Sequence, residues 1–572
     1  MLLLHLFITL SLQCWTTYGA YVQTKSCNDD SDSGPSGRSL KVHFEEGRGD
    51  GSDVLQLAVG YTVLQESCNH STFAFSATLD VDLLGRHSVL HGGNSSYCEV
   101  WPWRDGVHST SSLIYPLEFE LASLPPLSTF NIRLQLESGT DRGLQCLEAD
   151  LTPALTTTTS TFLVWTPRAI FLFVLLVGIL RYHDERASTR TLSTSDLRLP
   201  GVADCLGYMQ WMFLSGGLSL HYPGFFQPIA SKLSLFSLFV TGPLTHGRVY
   251  PSVSGGIYSI NGTYGGTVGL EHMHQIVGAP STVDTWVNMV IAIGIISVAA
   301  AVLLEVVGLG RNVFGTRAAP VVHEPLSTRL SSRLTALLRV VLSYFTLPLS
   351  ALSFYQLSAS AKLPVWHTVS AAMLIISIIL AFIWLFRQLP SRTVGLLMHE
   401  TPKWYREQNR QVGRAERIYV GMIVALTLIR GAIIGGLQAY GPVQLSLLAM
   451  SEVCLLFTIG WLRVHPWLSM STVFPIMRLI TTLLMVCFVR GLVQSSTRSA
   501  VGYAVVALHA SVLAFGILLP AVYHAVESVC TTARHTKRDV SIHLLVYSLG
   551  QGNLLTDPPD YPKQSTARTQ RH

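Results

Sequence analysis

The 572-residue sequence predicts an α-helical polytopic membrane protein, with about nine transmembrane helices behind an N-terminal all-β lumenal domain. Three observations carry that expectation. Apolar runs of about 20 residues recur from residue 162 onward. The residues before them alternate apolar and polar in the period-two manner of strands. Lys and Arg gather in alternate loops between the apolar runs.

Composition agrees. Hydrophobic residues make up 49% of the chain and charged ones 13%, with a mean hydropathy of +0.39, a balance that suits lipid. The net charge of +5 is small for the length, and the basic residues lie mostly in loops, so no nucleic-acid partner is expected.

Residues 1–20 read as a signal peptide. An apolar run from Leu2 to Leu12, too short to cross a bilayer, is followed by small residues up to Gly19 and Ala20. The segment has no Lys or Arg, which leaves an uncleaved anchor as the alternative.

Residues 21–153 then read as a small lumenal β-sandwich of immunoglobulin-like type. Phe130, Ile132, Leu134 and Leu136 alternate with polar residues, as do SLKVHF and STFAFSATL, with Gly, Pro and Ser turns between. Cys27, Cys68, Cys98 and Cys146 precede the first span, an even number in an oxidising compartment, so two disulfides are expected with all three pairings open. Asn69 in N-H-S and Asn94 in N-S-S are glycosylation acceptors. The Thr-rich stretch 154–161 reads as a polar linker to the membrane.

The transmembrane domain, 162–526, holds apolar runs near 162–180, 202–222, 285–308, 334–358, 364–387, 417–438, 442–463, 473–494 and 500–525. An odd number, with the N-terminus lumenal or extracellular, puts the tail 527–572 in the cytosol. Arg181, Arg186, Arg190 and Arg198 follow the first span, and Arg311, Arg317, Arg329 and Arg333 the third. Arg387, Arg392, Lys403, Arg406, Arg410, Arg414 and Arg417 follow the fifth, whereas the lumenal loops hold only Lys232, Arg248, Lys362 and Arg498. Asn261 in N-G-T falls in the long second lumenal loop, where glycosylation is allowed.

Met209–Phe239, MQWMFLSGGLSLHYPGFFQPIASKLSLFSLF, resembles the fungal flavin-carrier and transient receptor potential (TRP)-like membrane protein family, in which a similar Gly-Leu-Ser-Leu-x-Tyr-Pro run ends the second span. LRVVLSYFTLPLSALSFYQL, Leu338–Leu357, is similar to that family's fourth span, and LIRGAIIGGLQAYGPVQLSLLAMSE, Leu428–Glu452, to its sixth-to-seventh hairpin. The resemblance implies a lumenal sandwich like the MD-2-related lipid-binding (ML) domain. It also implies transport of ions such as calcium, or of flavin adenine dinucleotide (FAD) as cargo, at the endoplasmic reticulum or plasma membrane, with lipid regulation and self-association. The alternative it leaves is a lipid-binding or lipid-transporting protein that uses the lumenal sandwich. The short tail departs from the long tails of the family, so tail-mediated regulation is not carried over.

Ionisable residues inside spans are costly and mark transport paths or fixed helix contacts. Arg430 and Glu452 are the foremost candidates, because antiparallel packing across the turn at Tyr440–Pro442 brings them near one depth. They form either part of a path or a buried ion pair that fixes packing. Gln438 and Gln444 flank that turn as further candidates. Arg339, Glu305, Arg478 and Arg490 lie near span ends and read as snorkelling side chains, His509 and His524 as interhelical partners, and Asp204 as a helix-start residue.

His272 and His274 give too few ligands for a metal site, so none is expected, nor is a resident cofactor. No hydrolase motif occurs and no enzyme activity is expected. In the tail, Pro558, Pro559 and Tyr561 form a PPxY sequence suited to a WW-domain ubiquitin ligase. A tetrameric cation-channel pore is not expected, because the last two spans are joined only by Gln494–Ser499; the loop from Tyr222 to Asp284 alone has the length to re-enter.

Overall fold

The computed structural model describes strand segments between Tyr21 and Thr152 and, beyond them, residues 157–187, 201–239, 269–277, 282–314, 326–388, 413–463 and 469–530. The signal peptide, Cys27, Cys68 and Cys98, the acceptors Asn69, Asn94 and Asn261, and Pro558, Pro559 and Tyr561 lie outside the described residues.

Among the described residues the N-terminal part shows nine strands: β1 (Tyr21–Ser26), β2 (Arg38–Glu45), β3 (Ser52–Thr62), β4 (Phe75–Leu83), β5 (Arg86–Gly92), β6 (Glu99–Asp105), β7 (His108–Ala122), β8 (Phe130–Ser138) and β9 (Gln145–Thr152). They pair antiparallel in two sheets, β1-β9-β8-β4-β5 and β2-β3-β7-β6. The alternation in β8 has a cross-strand counterpart. Ile132 and Leu134 stand opposite Val81 and Leu79 of β4 on one side, and opposite Ala149 and Leu147 of β9 on the other. A one-residue slip would put polar residues in this apolar row, so the pattern fixes the register. Cys146 lies in β9, opposite Gln135.

The remainder is helical: α1 (Thr157–Ala187), α2 (Val202–Ser215), α3 (Phe226–Ser231), α4 (Leu270–Val277), α5 (Thr282–Phe314), α6 (Leu326–Ser358), α7 (Val365–Gln388), α8 (Gly413–Gly436), α9 (Gly441–Leu462), α10 (Met470–Leu484) and α11 (Ser495–Ser511). α11 continues through a π-helical stretch, Val512–Leu518, to Cys530. The stretch expected as a linker is helical from Thr157, because nothing between those threonines and the apolar run stops a helix.

Among the described residues, seven helices are long and apolar enough to cross a membrane: α1, α5, α7, α8, α9, α10 with its following turn, and α11. The other two expected spans fall on α2 and α6, and packing explains why they look less apolar. α7 presents Val365, Val369, Met373, Ile376 and Leu380 to the outside. α6 instead buries Thr346, Ser350, Ser353 and Gln356 against other helices.

A close backbone approach joins α6 to α8. A Cβ added at Gly431 would stand 1.9 Å from Ser350 Oγ, and one at Gly435 would stand 1.9 Å from the Ala351 carbonyl oxygen. This is a small-xxx-small contact, in which missing side chains let helices touch.

α2 stops well short of the expected end of its span near 222. It is 14 residues long, or about 21 Å, and ends at Ser215 before the Gly216-Gly217 pair. Residues 216–222 run on in irregular, largely buried conformation. The chain then reverses and folds back along α2 through α3 and a tight turn at Ser234–Ser237. Gln210 of α2 donates from Nε2 to the carbonyls of Phe236 (3.0 Å) and Tyr344 (2.7 Å), and the rings of Phe213 and Phe239 meet at 4.6 Å. The first part of the stretch whose length allows re-entry, residues 223–239, thus packs back against α2.

Candidate functional site

Three spans meet at one carboxylate. Glu452 of α9 is fully buried, and Arg478 of α10 donates to it from Nε (Oε1, 3.0 Å) and Nη2 (Oε2, 3.1 Å). Arg430 of α8 places Nη2 3.1 Å from the same Oε1 and donates from Nε to Ser451 Oγ at 3.0 Å. α8 and α9 run antiparallel from the turn at Tyr440, which is why residues 22 positions apart by number, 430 and 452, face each other. Pro442 at the first turn of α9 costs no hydrogen bond there and sets the helix start.

The environment is largely dry and charged. The Arg478 guanidinium lies 6.0 Å from the ring centre of Trp211 on α2. Asp204, one end of α2, caps that helix by accepting from Gly201 N at 3.1 Å and interacts electrostatically with Arg478. Tyr419 of α8 interacts electrostatically with Asp204, Arg478 and Arg430 together. The contact triad thus carries two cations for one anion. Arg430 Nη2 is engaged in the ion pair with Glu452, Trp211 Nε1 is a buried donor without a hydrogen-bond acceptor, and Asp204 supplies a second carboxylate near Arg478.

Arg430 and Glu452 were the foremost sequence candidates, and the structure brings them together. Arg478 was missed. The sequence reading placed it near a span end with its head in water, yet its side chain is only 15% exposed. α10 begins at Met470 and its final turn ends at Phe488, so this short span has Arg478 near its middle. The available signal was a second Arg in a span beside one that carries a Glu.

Gln438 and Gln444 satisfy the irregular backbone that follows α2. Gln444 Oε1 accepts from Ser219 N at 2.9 Å, and its Nε2 donates to the carbonyls of Ile433 (3.2 Å) and Ile434 (3.1 Å). Gln438 Oε1 accepts from Ser219 Oγ (3.1 Å) and Leu270 N (3.0 Å), while Nε2 donates to the Gly217 carbonyl at 3.2 Å and also to that of Ile434. Gln227 donates to the Gly216 carbonyl at 2.9 Å. Non-helical backbone inside a bundle persists only with such partners. Gly441 is required here as well, since a Cβ on it would meet the Ser219 carbonyl oxygen at 2.0 Å.

His272 and His274 lie on the short helix α4, both buried, with His274 Nδ1 2.5 Å from the Leu270 carbonyl oxygen. Among the described residues no group of three or more His, Cys, Asp or Glu could hold a metal ion. Arg490 is exposed, as a snorkelling side chain would be.

These features define a helical, multi-pass type of membrane protein with a charged centre beside an interrupted segment. No protein-family model, curated protein or solved structure matches the chain.

Proposed function

We propose that this chain is an integral membrane transport protein of the flavin-carrier and TRP-like family, moving an anionic cargo, FAD, across a secretory-pathway or plasma membrane. The observation that carries the reading is the Arg430–Glu452–Arg478 triad, buried beside the interrupted α2. Transporters place binding sites at mid-membrane where a span is broken, and use irregular backbone only around such sites. The guanidinium groups of Arg430 and Arg478, with Glu452 and Asp204 as resident counter-charges, are the cationic contacts an anion would exchange into, and phosphate oxygens suit Arg forks. Calcium, the other cargo implied by the resemblance, needs about six to eight oxygen ligands, whereas both oxygens of Glu452 are held by guanidinium groups.

In this reading α2 and α6 complete nine spans with a lumenal N-terminus. The two sheets close face to face as an ML-like sandwich, and the protein carries out no covalent chemistry. FAD uptake into proteoliposomes of the full chain tests it. Wild-type protein should exceed protein-free vesicles, and Glu452→Gln should slow uptake about tenfold or more, the effect of losing one charged contact worth about 1.4 kcal/mol. Absence of wild-type uptake, with or without calcium flux, sinks the FAD assignment.

One contact favours lipid handling as the second reading. Thr129, ahead of β8, accepts from Phe225 N at 3.1 Å and lies 2.9 Å from Thr152 Oγ1 at the end of β9, so the sheet with lipid-binding resemblance touches the reversal after α2. Mass spectrometry of lipids copurifying with the full chain decides it: no retained lipid removes the idea.

A further inference from the structure

A second buried polar contact stands beside the triad and plays no part in it. Tyr208 OH of α2 lies 3.0 Å from His509 Nδ1 of α11, and the two rings meet edge to face at 5.8 Å and 67°. Both residues are buried, at 1% and 3% exposure. The Phe474 ring of α10 closes over Tyr208 at 5.4 Å. The remaining imidazole nitrogen, His509 Nε2, has no hydrogen-bond partner. Directly after His509, α11 becomes π-helical from Val512 to Leu518. Single π-turns in helices accompany functional sites, and here the wider winding follows the residue with the open nitrogen.

The charged and titratable groups around this pair belong to the helices already described. On α2, Asp204 lies one turn from Tyr208, on the same helical face. On α10, Arg478 interacts electrostatically with both Asp204 and Tyr208. Beyond Arg478 come Glu452 and Arg430, with Tyr419 reaching the same cluster. α1, which packs against the π-helical stretch, carries Arg168, whose guanidinium sits 5.3 Å from the Trp165 ring centre. On α11 itself Arg498 and His524 lie toward opposite ends.

We propose that the Tyr208–His509 pair is a proton-binding site that couples cargo movement through the triad to a proton gradient, with proton and anionic cargo moving in the same direction. The inference rests on the transport reading given above. In the tautomer whose Nδ1–H donates to the Tyr208 oxygen, Nε2 holds a free lone pair. A proton delivered by hydronium forms an N–H bond there, breaks one O–H bond and leaves water; the Tyr208 contact stays intact in both states. The imidazolium adds a positive charge against Tyr208, the residue that interacts electrostatically with Arg478. That charge strengthens attraction for an anion and weakens the grip of Arg478 on Glu452, because like charges disfavour each other and the Asp204 carboxylate becomes a competing partner. Ionisable side chains buried inside a membrane bundle, histidine among them, are a recognised device for proton relays.

The test uses the full chain in proteoliposomes loaded with a pH-sensitive dye, with FAD outside and the external medium made one pH unit more acid. Wild-type protein should raise steady-state FAD accumulation about tenfold over the no-gradient control at one proton per cargo, with matching internal acidification. In His509→Gln the ratio of accumulation with and without the gradient should fall to one, while His524→Gln, on the same helix, keeps the wild-type ratio. Tyr208→Phe retains the imidazole but removes the oxygen that stabilises Nδ1–H, and should move the pH of half-maximal coupling downward; this second variant serves if His509→Gln does not fold. Wild-type FAD uptake that ignores the gradient, or a His509→Gln ratio equal to wild type, overturns the coupling and leaves transport standing. No FAD uptake at all overturns both.

Discussion

Arg478 donates two parallel hydrogen bonds to Glu452, at 3.0 and 3.1 Å, and so ties α10 to α9 in the interior of the bundle. Arg430 approaches the same carboxylate from α8. Removing Glu452 leaves the buried Arg430 and the largely buried Arg478 without their shared carboxylate, and loss of one member of a buried ion pair costs about 3–5 kcal/mol. Glu452→Ala should therefore lower the thermal midpoint of the detergent-solubilised protein far more than Glu→Ala at Glu527 of α11. Equal melting of the two variants would count against an energetic role for the triad.

Arg478→Lys keeps the charge and loses the fork. A Lys cannot present two fixed donors to one carboxylate, so the substitution should act as a partial loss, of about 1–3 kcal/mol. Denaturation curves of Arg478→Lys and Arg478→Ala, measured side by side, read the difference. A Lys variant as stable as wild type would show that charge alone suffices.

The α6–α8 contact predicts opposite outcomes at neighbouring glycines. A methyl at Gly435 would stand 1.9 Å from the Ala351 carbonyl oxygen, which is backbone and cannot yield cheaply, whereas a methyl at Gly436 meets nothing within 4 Å. Gly435→Ala should destabilise by about 1–3 kcal/mol through overpacking. Gly436→Ala should be neutral or stabilising by up to about 1 kcal/mol, from the better helix propensity of Ala. Size-exclusion profiles after a heating series distinguish them.

Gln444 Oε1 accepts from Ser219 N, and Gln444 Nε2 covers two further carbonyls. Gln444→Leu leaves a buried amide without a partner, a loss of about 1–3 kcal/mol. Hydrogen exchange at Ser219 should accelerate in the variant while exchange within α7 stays as in wild type. Uniform acceleration would mean that the whole bundle, not the interrupted segment, had loosened.

Much of this architecture was legible because lipid imposes simple demands. Helices that face outward, such as α7, must be apolar along a stripe, and the runs of about 20 residues reveal them. The strands were visible for a similar reason: Ile132 and Leu134 need apolar neighbours across the sheet. The interruption after Ser215 was not legible, because its cause is distant. Gly216-Gly217 reads as a flexible pair within an apolar run, and nothing local says that Gln438 and Gln444 will satisfy the opened backbone. Arg430 and Glu452 could be paired by counting along a hairpin, since the turn between them is short. Arg478 required knowing that α10 starts at Met470 and stands against α9, a tertiary fact with no periodic trace.

The dependence of residues 216–222 on glutamines far along the chain bears on how the protein is made. Ser219 N and the Gln444 oxygen that receives it are separated by 225 positions, which at about 5–20 residues per second is roughly 10 to 45 seconds of synthesis. Until then the nascent segment has exposed amides, a helix too short to cross the bilayer, and no stable home in hydrocarbon. The irregular segment after α2 is translated early, and the side chains that satisfy its backbone arrive late.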